Sequence, residues 1–297
     1  MPNGPDPALL RRRVMSALRL LRSAQGVTQT QVAQALDWSQ SKVDRIENGV
    51  IGISPKDLRA LLGYYGQSGP DADELLAMTL GARRQPFAAF AEVLSPDFKR
   101  FLGYEGAASV VRNFEALVVP GLLQTPEYAE AIVRMYNPHE PADRRAKRVR
   151  ARAVRQLLLT REERPELHFI LGEAVLDTDV GAESGRPGLM RAQLDHLVEL
   201  SDRPGIRLQV VRKGTGAHLG LAGAFVLLEF ADAPDERILY LESRIGETIR
   251  DTPELTAGHL EAFAAIERQA TPADAFADVV AEIRASLAPG VEADPRR

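Results

Sequence analysis

Residues 28–49 read TQTQVAQALDWSQSKVDRIENG. Thr28 can cap a helix, with Gln31 three residues on reaching back to the cap's own N–H. Val32, Ala33 and Leu36 then recur at the spacing of one helical face, and Ala33 is small enough for a second helix to cross closely. Asp37-Trp38 ends the run. Ser39 can cap a second helix in which Val43 and Ile46 point inward, whereas Gln40, Ser41, Lys42, Asp44 and Arg45 are polar and point outward. Gly49 suits the left-handed position just past a helix C-terminus. The stretch therefore predicts two short helices joined by a tight turn, the second with a polar outer face.

Such a unit fits the helix-turn-helix, whose second helix lies in the major groove of double-stranded DNA. It also fits two ordinary helices of an all-α domain, and spacing alone does not separate the two. On the second helix Gln40, Ser41 and Arg45 are the candidates for base edges, because Gln pairs bidentately with adenine and Arg with guanine. Ser39, Lys42 and Asn48 suit phosphates, as does Gln29 at the start of the first helix, where unpaired N–H groups also point outward. Each of them taken singly also fits a merely solvated surface. The run TQTQVAQAL…SQSKVDRIENG resembles the Xre/phage-repressor (Cro/C1) type of helix-turn-helix. That resemblance implies a five-helix, lambda repressor-like head that binds DNA. The family usually has Gly in the turn where this chain has Asp37, a residue that tolerates the left-handed region better than most.

The flanking sequence supplies three more helices. Leu9, Val14, Leu18 and Leu21 recur at helical spacing over 8–24, up to Gly26, and residues 1–7 should fray. Ser54-Pro55-Lys56-Asp57 joins a cap, a proline at the first helical position and an acid at the third, ahead of the stripe Leu58, Leu61, Leu62 and Tyr65. A fifth helix is expected over 70–84. Charge divides the same way. Residues 1–66 hold nine Lys/Arg against five Asp/Glu, which leaves −8 on the remainder of a chain whose formal net charge is −4. A basic head on an acidic body is the asymmetry of a DNA reader.

Composition removes several classes. With no cysteine there are no disulfides, thiol nucleophiles or cysteine metal sites. His139, His168, His196, His218 and His259 never stand four apart, so no metal site is expected. No apolar run is long enough to span a membrane, and the start MPNGPDPALLRRR reverses the order of a secretory signal, so a cytoplasmic protein is expected.

Residues 85–118 look helical, with breaks near Ser95-Pro96 and Gly103 to Gly106. In VVPGLLQTPEYAEAIVRMY (118–136) Pro120-Gly121 signals a turn, and Thr125-Pro126-Glu127 caps a helix with Tyr128, Ile132 and Met135 on one face. A basic helix over 144–160 puts Arg144, Arg148, Arg152 and Arg155 on one stripe, roughly opposite Val149, Ala153 and Leu157. A solvated or salt-bridged stripe is the usual case, against a phosphate contact or a cradle for an acidic ligand. After Pro165, LHFIL (167–171), IRLQVV (206–211), AFVLLEF (224–230) and RILYLE (237–242) read as strands, with helices over 188–201, 253–269 and 272–288. The glycine-rich 214–220 has neither GxGxxG spacing nor a following helix, so it reads as a flexible hairpin connection rather than a nucleotide loop. Glu173 and Glu242 could face one pocket, but no nucleophile, metal set or cofactor motif accompanies them. No catalytic residue, cofactor or enzyme activity is assigned.

VPGLLQTPEYA, Arg155-Gln156, Gly172-Glu173-Ala174 and Tyr240-Leu241-Glu242, in that order, resemble the actinobacterial regulators in which an Xre-type head precedes a DUF5753, antitoxin-like domain. The resemblance implies a transcriptional regulator, often encoded beside a small DUF397-type partner protein. The expected protein is mainly α with an α/β C-terminal part: a head over 8–84, a helical and β-sheet body over 85–288 for regulation and dimerisation, and a disordered tail over 289–297. It should act as a homodimer that binds DNA sequence-specifically, its body taking an effector or a partner. Two alternatives stand beside it, an antitoxin-like protein that mainly sequesters its DUF397-type partner and a repressor sensing a small-molecule effector. Gln124, Thr125, Arg155, Glu173 and Glu242 are the candidate ligand or partner residues.

Overall fold

The computed structural model describes residues 7–49, 51–81, 87–181, 186, 188–231 and 233–286. The chain falls into two compact units, Met1–Ala89 with Leu102–Ala107, and Phe90–Phe101 with Ala108–Arg297.

The first unit is built on five helices: α1 (Pro7–Ala24), α2 (Gln29–Ala35), α3 (Gln40–Glu47), α4 (Pro55–Tyr64) and α5 (Pro70–Gly81). Their starts are those the caps dictate. Thr28 and Gln31 close a reciprocal capping box on α2, Ser39 accepts from the Lys42 N–H, and Ser54 accepts from the Asp57 N–H ahead of Pro55. Val14, Leu18, Val32, Ala33, Val43, Ile46, Leu58, Leu61, Leu62 and Tyr65 form one buried cluster. Asp37 takes φ 55°, and it is the only described non-glycine residue with positive φ. The turn needs that conformation, since it lets the Trp38 N–H return to the Ala33 carbonyl at 2.8 Å. The side chain of Leu9, the stretch 82–84 and the tail 289–297 lie outside the described residues.

The second unit is a six-stranded sheet with helices. Its strands are β1 (Val110–Glu115), β2 (Glu166–Gly172), β3 (Ile206–Val211), β4 (Phe225–Phe230), β5 (Ala233–Ser243) and β6 (Gly246–Arg250), in the order β3-β2-β1-β4-β5-β6. β1, β2 and β3 run parallel, and β4, β5 and β6 continue antiparallel from β1. α6 (Pro96–Ala107) precedes β1. α7 (Pro126–Tyr136) and α8 (Ala142–Gln156) carry the chain from β1 to β2, as parallel strands require. α9 (Glu173–Asp177) and α10 (Leu189–Ser201) lead to β3, and α11 (Pro253–Gln269) and α12 (Phe276–Ser286) follow β6. One sheet face, with Phe114, Ile170, Val211, Phe225, Leu227 and Leu239, is buried against Phe263 and Ile266 of α11. By alternation, Val111, Asn113 and Glu115 of β1 and Tyr240 and Glu242 of β5 share the opposite face.

Three expectations are corrected here, and a sixth strand is added. Residues 85–118 are not helical throughout: α6 runs through the expected break at Gly103 to Gly106, and VVRNFE is the strand β1. Strands flank β1 on both sides, so its polar residues Arg112 and Asn113 face protein and no apolar alternation is visible. β6, GETIR, is a short edge strand without an apolar face. The 214–220 segment is not a hairpin connection, since it carries the chain from edge strand β3 past β2 and β1 to β4. It is packed rather than flexible at Gly220, where a Cβ would lie 2.3 Å from the Phe114 ring. Finally, Met135 of α7 is exposed rather than on the packed face; the arginine stripe of α8 is salt-bridged, with Arg144 and Arg148 on Glu140 at 3.2 and 2.7 Å, while Ala153 and Leu157 are exposed.

The turn VVPGLLQT is buried structure. The Leu123 N–H closes it on the Pro120 carbonyl at 2.8 Å, and Val119, Leu122 and Leu123 are inaccessible. Leu123→Ala should cost about 2–5 kcal/mol of stability, the usual range for emptying a core leucine site. Urea denaturation of the full chain checks this, and an unchanged midpoint would contradict the burial.

Candidate functional site

In the head, one buried carboxylate orients the two motif helices. Glu47, the last residue of α3, is 3% exposed. Arg22 of α1 donates to both its oxygens, at 2.7 and 3.0 Å, and Gln29 of α2 donates to it at 2.8 Å. Arg22 also reaches the Val27 carbonyl at 3.2 Å. Carboxylate hydrogen bonding holds the Arg22 guanidinium above its ordinary pKa. Burial, with Glu47 nearby, pushes the Tyr65 hydroxyl up to about 12. Locked in this way, α3 turns Val43 and Ile46 inward and leaves Gln40, Ser41 and Arg45 exposed. None of those three side chains makes a hydrogen bond or ion pair among the described residues. The other residues expected at DNA are engaged. Ser39 caps α3, Lys42 pairs with Asp57 at 3.0 Å and lies 3.6 Å from the Trp38 ring centre, and Asn48 donates to Asp44 at 2.7 Å.

In the body, the expected pocket residues separate. The Gln124 side chain donates to the Val119 carbonyl at 2.9 Å, and the Gln124 backbone carbonyl accepts from the Gln156 side chain at 2.6 Å. Thr125 caps α7, and its N–H donates to Gln193 at 2.7 Å. Glu173 accepts from the Lys213 N–H at 2.6 Å and pairs with Arg212 at 3.3 Å. Glu242 is instead grouped with residues of β1 and α8, in a cluster not anticipated as such.

Glu115, the last residue of β1, lies among protein atoms with its surface only partly open. Burial, then the Glu242 carboxylate, pushes its carboxyl up to about 8, against the pull of Arg155. Arg152 lies in the same surroundings, where burial and Arg155 lower its guanidinium to about 10 despite Glu242. Neither Glu115 nor Arg152 makes a side-chain hydrogen bond or ion pair among the described residues. Arg155 is held over the rings of Phe101 and Phe98, at 5.4 and 5.7 Å, and Phe101 stacks on Tyr240 at 3.9 Å. Gly121 makes room for it, since a Cβ there would lie 2.8 Å from Arg155 Nη1. Tyr240 Oη stands 3.5 Å from Glu242 Oε2. On β1, Asn113 is 4% exposed and its Oδ1 has no donor among the described residues. Among the described residues no group of three or more metal-ligating side chains converges.

Two family models match the chain. One, described as a helix-turn-helix domain, covers residues 16–75, and the other, described as a domain of unknown function (DUF5753), covers residues 98–282. The chain belongs to the DUF5753 family. Its helix-turn-helix domain makes this DUF5753 protein a DNA-binding regulator. No curated protein and no solved structure matches it. No helix among the described residues is long and apolar enough to cross a membrane.

Sequence reasoning singled out Arg155 and Glu242 of this DUF5753 domain but missed Asn113 and Glu115, which lie in the segment read as helical. Arg152 was visible only as one member of a stripe. Glu115 makes a pH signature. Between about 4.5 and about 8 the folded chain keeps a proton that the unfolded chain has released, so raising the pH through this window favours unfolding. Glu115→Gln should remove that loss, gaining on the parent chain as pH rises across the window. Parallel stability-versus-pH curves from urea denaturation would refute the assignment.

Proposed function

We propose that this protein is a sequence-specific transcriptional regulator that reads the major groove through α3 as a homodimer, under control of an effector bound by its DUF5753 body. The observation carrying the proposal is the division of polar residues in the head. Gln40, Ser41 and Arg45 stand exposed and uncommitted on α3, while Arg22, Gln29 and Glu47 are consumed in fixing its angle. Gln40, Ser41 and Arg45 then meet base edges, and Ser39, Asn48 and the start of α2 meet phosphates. Lys42 exchanges Asp57 for a phosphate oxygen at the DNA surface. Arg45→Ala should relax discrimination at one base position by about 1–3 kcal/mol. Footprinting of the chain's own promoter region gives the site, and titration against matched and scrambled duplexes gives the ratio. An unchanged ratio removes Arg45 from base reading.

One head of this size buries little DNA, so specific binding calls for two, with half-sites about one helical turn apart or a multiple of it. The outward surface of α7, α8 and the turn after α8 supports association through the body. Met135, Tyr136, Val154 and Leu157 are exposed there, and such side chains mark interaction surfaces when grouped. Sedimentation of the full chain should show a dimer that Leu157→Glu weakens. A parent chain that stays monomeric and co-purifies with a small DUF397-type protein would support the antitoxin-like alternative instead.

A further inference from the structure

Resting on the effector reading above, we infer that the cleft at the carboxyl end of β1 binds a free amino acid as its zwitterion, the ammonium against Asn113, Glu115 and Glu242 and the carboxylate against Arg152. The place is set by topology. β1, β2 and β3 run parallel, so their carboxyl ends lie on one edge of the sheet. Open α/β sheets take ligands outside the carboxyl ends of their strands. Glu115 is the last residue of β1, Asn113 precedes it on the same face, and Tyr240 and Glu242 share that face from β5. β4 begins only at Phe225, so the small Ala224 is the residue before it.

The chemistry is set by what the protein leaves unpaired. Asn113 Oδ1 is buried, and no group among the described residues donates to it. Glu115 and Arg152 are surrounded by protein yet bond neither to each other nor to any described group. Buried polar groups are normally satisfied, so an orphan Asn113 carbonyl, beside a half-buried acid and a half-buried base that do not pair, points to a ligand that satisfies them. A purely anionic ligand would meet the Glu242 carboxylate and leave Asn113 Oδ1 without a donor. A purely cationic one would meet Arg148, Arg152 and Arg155. A compact ligand with both charges suits both ends, and an ammonium brings three donors to three acceptor groups. Glu115 is protonated at neutral pH and must release that proton to pair with the ammonium. The charged and titratable groups that act on Glu115 are Glu242 on β5, Arg155 on α8 and Tyr128 on α7, and those that act on Arg152 are Glu242 and Tyr240 on β5 and Arg148 and Arg155 on α8.

Isothermal titration calorimetry of the full-length protein against the common free L-amino acids at neutral pH tests this. One amino acid, or a few of related side chain, should bind with Kd at or below about 1 mM. For each hit, the analogue lacking the amino group and the analogue lacking the carboxylate should bind at least about tenfold more weakly to the unaltered chain. Binding heats in buffers of different ionisation enthalpy should show proton release, absent in Glu115→Gln. Arg152→Met should weaken binding at least about tenfold with its melting temperature retained, and Arg212→Met should not. The inference is overturned if no amino acid binds, if either truncated analogue binds as well as the parent, or if folded Arg152→Met binds normally. An amino acid that binds as expected but leaves DNA affinity unchanged upholds the site and removes the effector reading.

Discussion

The body depends on a single six-residue strand being paired on both edges in opposite senses. β1 accepts β2 in parallel and β4 in antiparallel. The parallel edge obliges the chain to leave the sheet and return through α7 and α8. The antiparallel edge closes only after the chain has returned from β3 past two strands. Both excursions are packed tightly against β1: Gly220 of the second lies against the Phe114 ring, and Gly172 ends β2 where a Cβ would lie 3.3 Å from the Ala116 carbonyl. The end of β1 is thus held by structure on its Phe114 face, while on the opposite face burial takes the water from the Glu115 carboxyl and leaves it holding its proton.

In the head, a different economy operates. The hydrophobic cluster supplies cohesion but little angular information, because apolar contacts are non-directional. Direction comes from Glu47, whose two oxygens receive three donors from two other helices. Such a carboxylate is a costly thing to bury, and pairing with a partly exposed arginine offsets the cost only while the geometry holds. The interior polar network therefore fixes where the outer polar face of α3 points.

The head was largely legible in the sequence because its information is local. Caps at Thr28, Ser39 and Ser54, the turn at Asp37 and the apolar spacing each act within a few residues. Glu47 was not legible, since its partners lie 25 and 18 positions away and nothing nearby marks it as buried. The body was read in part: β2, β3, β4 and β5 have apolar runs, whereas β1 carries a half-buried Arg112 and a buried Asn113 between neighbours that only the folded chain provides. The arginine stripe of α8 was visible as a salt-bridged or solvated face, and its partners were not. Periodicity finds a face; it does not say whether arginines lie outside in water or inside on Glu140, Phe98 and Phe101. Glu115 was lost with β1, and the cleft with it.

Trp38 has a consequence of a different kind. It is the only tryptophan of the chain, and it lies in the turn between α2 and α3, packed on the head's apolar cluster with the Lys42 ammonium against its ring. Indole emission from this protein is therefore a local signal from the turn of the DNA-reading motif. The body contributes tyrosine and phenylalanine alone. The chain also has no thiol of its own. A single cysteine introduced into the body would carry an acceptor dye at a unique position, making the natural indole a built-in donor for following the two units independently.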